Sequence, residues 1–238
     1  MTALLAFDTA GERMTVAVGV PGRRWSTSAE GGSKASTALV PAILGVLGEA
    51  GLRLADLDAI AFGRGPGAFT GLRTACSVAQ GLAFGAGKPV LPIDSLLVVA
   101  EAARAGAASF RGWAAIDARM DQVYAAEYLF ADGRWTTLVA PLLADVAELA
   151  ARWRAAPPEA VAGDALGAFG ERLDVGAARC FPGARADADA LLALAELAWR
   201  DGRGVAAADA LPLYVRDKVA QTTREREAAR AAKAEATS

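Results

Sequence analysis

The stretch from Gly63 to Arg73, GRGPGAFTGLR, sets four glycines and a proline ahead of a hydrophobic run with helical spacing. A glycine-rich turn entering a helix can cradle phosphate, because free backbone N–H groups and the helix dipole both face the anion. Spacing tests two phosphate fingerprints. A P-loop needs Gly-Lys-Ser/Thr at its end, whereas Leu72 and Arg73 follow Gly71 here. The dinucleotide pattern G-x-G-x-x-G is approached by Gly65-x-Gly67-x-x-Thr70. Its third position is neither Gly nor Ala, and the acid expected about 20 residues later would fall among Pro89 to Pro92, where none stands. Two readings remain: a backbone nest that holds an anion, or a tight strand-to-helix turn. In the second, Gly65, Pro66, Gly67, Thr70 and Gly71 are structural and let the helix lie close to its neighbours.

The chain contains no histidine, the side chain most used for proton transfer near neutral pH and for metal ligation. Ser-His-Asp, Cys-His and HExxH chemistry are thereby excluded. Cys76 and Cys180 are far apart and lack a metal-ligand pattern, so they read as small buried hydrophobes of a reducing compartment. Asp8 and Thr9 end the first expected strand, a position that resembles the metal- and phosphate-holding turn of actin-like ATPases. Those proteins place glycine directly around the Asp, as in D-x-G-T. In DTAGE, Gly11 comes late and Glu12 follows where phosphate would approach. Asp8 and Thr9 are therefore candidates for a residual nucleotide site, beside the reading of Asp8 as a strand end. Asp117, Arg119 and Asp121 could be an acid–base pair or a solvated hairpin. Tyr124, Tyr128 and Trp135 fall at strand spacing and suit a sheet face better than a base-stacking platform.

The elements that must position these residues follow from patterning. Strands are expected at Ala3 to Asp8, Met14 to Val20 and Arg23 to Ser28, forming an antiparallel meander. A helix from Ser36 or Thr37 to Ala50, the strand LDAIAFG, the glycine loop, a helix from Thr70 to Gly85, the strand PVLPI and a helix from Ser95 to Ala105 complete a first half. After a boundary near Ala105 to Arg111, a second meander begins with GWAAIDAR, QVYAAEYLF and RWTTLVA. Helices at Pro141 to Ala155, Ala165 to Leu173 and Ala186 to Arg200 follow, with a strand at EAVAGD. The 238 residues, 54% hydrophobic, suffice for a packed core. A net charge of −2, from 25 basic and 27 acidic residues, gives no footprint for nucleic acid or an anionic membrane. The N-terminus lacks a basic segment, so neither a signal peptide nor a span is expected there, and no membrane helix elsewhere.

The two helices flanking the glycine loop are unusual. In the first, Leu39, Val40, Ile43, Leu44, Val46 and Leu47 form an apolar arc backed by Ala38, Ala42, Gly45 and Gly48, and the first charge is Glu49. The second has Leu72, Ala75, Val78, Ala79, Leu82 and Ala83 on one side. Its other side carries Thr70, Thr74, Ser77 and Gln80, with Arg73 its only charge. A surface helix normally carries a charged outer face, and one without it is buried on both sides. The second side is covered either by the other half of the chain or by helices of another molecule.

FDTA, GRGPGAFTGLR, DARMDQVYAAEY and PLYVRD together resemble the TsaB family, also called YeaZ, of bacterial tRNA modification, over almost the whole chain to about Asp217. This sequence has Ala35-Ser36 where many relatives carry His-Ser, and Ala68 where they carry Ser. The resemblance implies an α/β fold of the actin/Hsp70/sugar-kinase-like (ASKHA) class, with two RNase H-like subdomains whose mixed sheets are flanked by helices. These would span residues 1–106, completed by about 203–217, and 107–202, with a charged, Ala-rich tail at 218–238 that is helical or disordered. It also implies a cytoplasmic, non-catalytic subunit without a cofactor. Such a subunit would support a TsaD-type transferase that moves threonylcarbamoyl to N6 of the adenosine next to the anticodon of ANN-decoding tRNAs. The partners would be that transferase, a TsaE-type ATPase, a second copy of the chain in isolation, and tRNA only through the complex. The implied interface comprises Leu39, Ala42, Ile43, Leu44 and Leu47 of helix one with Leu72, Arg73, Ala75, Cys76, Ala79 and Ala83 of helix two. The alternative is an enzyme active by itself, an actin-like ATPase or a peptidase.

Overall fold

The computed structural model describes residues 2–216; the tail expected at 218–238 lies outside them. A first mixed sheet contains β1 (Leu4–Asp8), β2 (Arg13–Val20), β3 (Arg23–Glu30), β4 (Ala59–Gly65) and β5 (Val90–Asp94), in the order β3-β2-β1-β4-β5. β1 pairs antiparallel with β2 and parallel with β4, and β4 pairs parallel with β5. The second sheet holds β6 (Phe110–Asp117), β7 (Gln122–Ala131), β8 (Arg134–Asp145), β9 (Ala160–Ala162) and β10 (Arg179–Phe181), in the order β10-β9-β6-β7-β8. Numbered from its own first strand, each sheet has the same topology: a three-strand meander, then two parallel strands beside the first. This is the ASKHA-like arrangement of paired RNase H-like sheets.

Burial follows position in the sheet. β1, at the centre, is LLAFD and buried along its whole length, as a strand covered on both faces must be. β3, at the edge, reads RRWSTSAE and is largely exposed, and its charged and hydroxyl side chains guard an open strand edge. Helices α1 (Ala35–Ala50) and α2 (Phe69–Ala86) cover one face of the first sheet, where Leu39, Ile43, Ala75 and Ala79 meet Phe7, Val16 and Phe62. Each ends at a left-handed glycine, Gly51 and Gly87. The opposite face packs on α6 (Ala188–Arg200) and α3 (Ser95–Arg104). α3 is shared: Val98 faces the first sheet, while Leu96, Val99 and Ala100 join Phe110 and Tyr128 of the second. α4 (Val146–Ala155) and α5 (Ala165–Phe169) cover the outer face of the second sheet, with Trp153 edge-on to Trp113.

Three elements differ from expectation. Pro141 to Asp145, expected to begin a helix, extend β8, with Leu143 opposite Tyr124 and Asp145 opposite Gln122. Pro141 sits at the register shift of an edge strand, where its missing N–H leaves no ladder bond unmade. β10 is only Arg179–Phe181, too short to show alternation. α6, grouped by the resemblance with residues 107–202, packs instead on the first sheet through Leu191, Leu194 and Ala195, beside Val98 of α3.

Candidate functional site

The glycine loop leaves β4 and enters α2 directly over the end of β1. The Ala68 N–H donates to the Ala10 carbonyl at 2.8 Å, and the Thr9 hydroxyl donates to the Gly71 carbonyl at 2.7 Å. A Cβ at Gly67 would stand 2.6 Å from the Ala10 oxygen, and one at Gly71 would overlap the Thr9 carbonyl. Backbone lies on backbone here, so glycine is required by close approach rather than by a bound phosphate. Gly65 has φ of 104° and its N–H donates to Ser95 Oγ at 3.2 Å, while Pro66 is buried after a cis peptide bond. Thr70 is exposed, and its carbonyl accepts the Thr74 hydroxyl at 3.0 Å.

Asp8 and Thr9, the candidate nucleotide pair, are both buried and engaged. Asp8 Oδ2 accepts the Ser95 hydroxyl and Oδ1 accepts the Ala10 N–H, both at 2.6 Å. Burial pushes the Asp8 carboxyl above its ordinary value of 3.8, against the opposing pull of hydrogen bonds from Ser95, Ala10 and Thr9. Gly63 is so close that any Cβ there would collide with the Asp8 carboxyl group. Both side chains join β1 to the loop and to α3, and Asp8 with Ser95 borders a cavity of about 470 Å³.

The two hairpin turns face each other across a cleft between the sheets. A cavity of about 530 Å³ lies there, lined by Gly11, Glu12, Gly67, Asp117, Tyr124 and Tyr214 among others. Arg119 crosses it to Glu12 at 3.1 Å, an exposed pair worth about 0–1 kcal/mol. Asp117 accepts the Arg119 N–H at 2.7 Å, and Asp121 pairs with Arg172 at 3.1 Å. These groups form a solvated hairpin rather than a converging acid–base pair. Tyr128 is fully buried edge-on to Trp135, and Tyr124 is buried in the same cluster, so the three aromatics belong to the sheet face.

The implied interface residues divide. Leu39, Ile43, Leu47, Leu72, Ala75, Cys76, Ala79 and Ala83 are buried in the chain's own core. Ala42 is half-buried, and only Leu44 and Arg73 are exposed. The arcs of α1 are split: Leu39, Ile43, Val46 and Leu47 pack against the sheet with Ala38 and Ala42 beside them, while Val40 and Leu44 turn outward with Gly45 and Gly48. The outer surface is Val40, Leu44, Gly45 and Gly48 on α1 with Arg73, Ser77, Gly81, Phe84 and Gly85 on α2. Phe84 is 85% exposed, Leu44 56% and Val40 39%. The patterning missed Phe84 because a lone large side chain near glycines carries no periodic signal, and it placed Val40 in the apolar arc because it adjoins Leu39.

A family model described as "TsaD: tRNA N6-adenosine threonylcarbamoyltransferase" matches residues 31–221. The chain is 44% identical over 121 residues to the tRNA threonylcarbamoyladenosine biosynthesis protein TsaB of Haemophilus influenzae, covering 51% of each. It is 39% identical over 125 residues to TsaB of Escherichia coli, covering 52% of this chain and 54% of that protein. The matched part thus spans about half the length of these curated relatives. A solved structure, YeaZ from Pseudomonas aeruginosa, superposes with a TM-score of 0.81 at 39% identity, covering 90% of this chain and 100% of that one.

Two substitutions test the buried junction. Gly71→Ala forces α2 off the Thr9 carbonyl and is expected to cost about 3 kcal/mol in urea unfolding. Asp8→Ala orphans the Ser95 hydroxyl and the Ala10 N–H and should cost about 2–3 kcal/mol. Because folding raises the Asp8 value, its favourable contribution is complete below the ordinary 3.8 and is lost as pH rises through the raised value. Asp8→Asn cannot ionise, so its stability relative to wild type should improve steadily as pH rises from about 4; a pH-independent difference would contradict the assignment.

Proposed function

The chain belongs to the TsaB (YeaZ) family, and from that premise we propose that it is a non-catalytic subunit for threonylcarbamoyladenosine formation on tRNA. It docks on a TsaD-type transferase through the outer faces of α1 and α2. The transfer itself, to N6 of the adenosine next to the anticodon of ANN-decoding tRNAs, belongs to that partner. A TsaE-type ATPase joins the pair, a second copy of this chain takes the same face when the transferase is absent, and tRNA is reached through the complex in the cytoplasm. The chain needs no cofactor of its own in this role.

The observation that carries the reading is the set of four outward-facing glycines in the two helices. Gly45 and Gly48 of α1 and Gly81 and Gly85 of α2 have ordinary helical φ, and a Cβ at any of them would meet nothing within 4 Å. Each costs the isolated helix about 0.5–1 kcal/mol relative to alanine, and nothing inside the chain requires any of them. Glycine on an open helix surface serves a backbone approaching from outside. Phe84 and Leu44 beside it are the large side chains such an approach would bury. The rival reading, an enzyme active by itself, lacks support at Asp8 and Thr9, whose polar atoms are engaged within the fold.

Reconstituted threonylcarbamoyl transfer to tRNA should fall to background when this chain is omitted. Leu44→Arg and Phe84→Glu should abolish co-elution with the transferase while leaving thermal unfolding of the isolated chain unchanged; co-elution of both variants would defeat the proposal. Gly81→Ala should raise the isolated chain's stability by about 0.5–1 kcal/mol and weaken the complex, a pairing that a residue important only to folding would not produce.

A further inference from the structure

We infer that Arg73 is a preset anchor for a carboxylate side chain on the facing helix of the partner, an inference that rests on the docking face proposed above. Arg73 is the only charged residue in α2 and lies on the exposed stripe that continues through Ser77 and Gly81 to Phe84. Its guanidinium carbon stands 3.7 Å from the centroid of the Phe69 ring, and its Nε donates to Tyr214 Oη at 3.2 Å. The Phe69 and Tyr214 rings themselves pack with centroids 5.4 Å apart. Among the described residues no Asp or Glu forms an ion pair with Arg73, whose guanidinium is held by the Phe69 ring and the Tyr214 hydroxyl.

Three physical features point to an anion arriving from outside. A side chain that normally loses considerable rotamer freedom on pairing is already fixed here by uncharged neighbours, which lowers the cost of the next contact. With Nε committed to Tyr214, the two terminal nitrogens remain to meet a carboxylate in the bidentate geometry that guanidinium favours. α2 also begins with no side-chain cap and no acid in its first turn, so the positive end of the helix adds to the Arg73 charge instead of offsetting it.

The surroundings select a protein carboxylate rather than a nucleic-acid phosphate. The rest of the stripe is apolar or small, and a phosphate backbone needs several cations where this helix supplies one. Arg73 and Phe84 are separated by roughly 16 Å along the helix at 1.5 Å per residue. One charge at one end of a glycine and phenylalanine surface sets the register and direction of the opposing helix, which apolar contacts alone leave loosely specified.

The test uses the full chain and its transferase partner, with affinity measured by calorimetry. Arg73→Glu should weaken binding by about tenfold or more, and Arg73→Lys should fall between it and wild type because it keeps the charge and loses the planar fork. Reversing one Asp or Glu on the partner's facing helix to Arg should restore affinity with Arg73→Glu and weaken it with wild type. Should Arg73→Glu fail to fold, Arg73→Gln carries the same comparison. Binding within about twofold of wild type, or no partner reversal that rescues, overturns the assignment. So does an intact protein complex that has lost only its retention of tRNA. Phe84→Glu separates the two levels: if it disrupts the complex and Arg73→Glu does not, the anchor alone fails, and if neither does, the docking face fails with it.

Discussion

The contact on which most of the structure depends is the crossing of the 65–71 backbone over the end of β1. Two chain segments approach there without any intervening side chain, which is possible only because Gly67 and Gly71 have none. The Thr9 hydroxyl, the Asp8 carboxyl and the Ser95 hydroxyl then join β1, the loop and the start of α3 through short buried hydrogen bonds. In a low-dielectric junction each of these bonds matters mainly because leaving it unmade would be expensive. The loop that resembles a phosphate cradle is thus filled by the protein's own backbone.

Fixing the start of α2 fixes the orientation of the helix. With Leu72, Ala75, Ala79 and Ala83 drawn against the first sheet, residues a quarter turn or more away are left facing outward. On α2 these are serine, glycine, phenylalanine and one arginine. The neighbouring α1 behaves the same way, burying Leu39, Ile43 and Leu47 and exposing Leu44, Gly45 and Gly48. The two helices therefore present a surface with little to hydrogen-bond water and little bulk to obstruct a close neighbour. The core and the outward surface are alternate faces of the same helices.

The second sheet repeats the topology of the first, and the two hairpin turns that face each other across the cleft hold Glu12 and Asp117 with Arg119 between them. Such groups could in principle have been assembled for chemistry. Instead they neutralise one another in solvent, and the buried carboxyl at Asp8 is held by donors from within the fold. The chain keeps a cleft between paired sheets while its conspicuous unpaired features lie on the helices outside it.

Much of the fold was legible in the order of residues. The two meanders, the strand and helix around GRGPGAFTGLR and the absence of charge on both flanking helices follow from period, turn residues and composition, because those are local properties. The likeness in strand order between the halves was visible only as a repeated pattern of elements. The strand at Pro141 to Asp145 and the three residues of β10 escaped, since their state is set by partners distant in sequence. For the site, the sequence determined that α1 and α2 have no side made for water, that Arg73 is the lone charge in α2, and that histidine chemistry is absent. Only the tertiary structure decided which arc faces inward. Both sides of these helices are almost free of charge, so helical periodicity could not choose between them; against the sheet went Leu39, Ile43 and Leu47 of α1 and the small Ala75, Cys76, Ala79 and Ala83 of α2. That choice turned eight expected contact residues into core and left the glycines, Phe84 and the braced Arg73 on the outside.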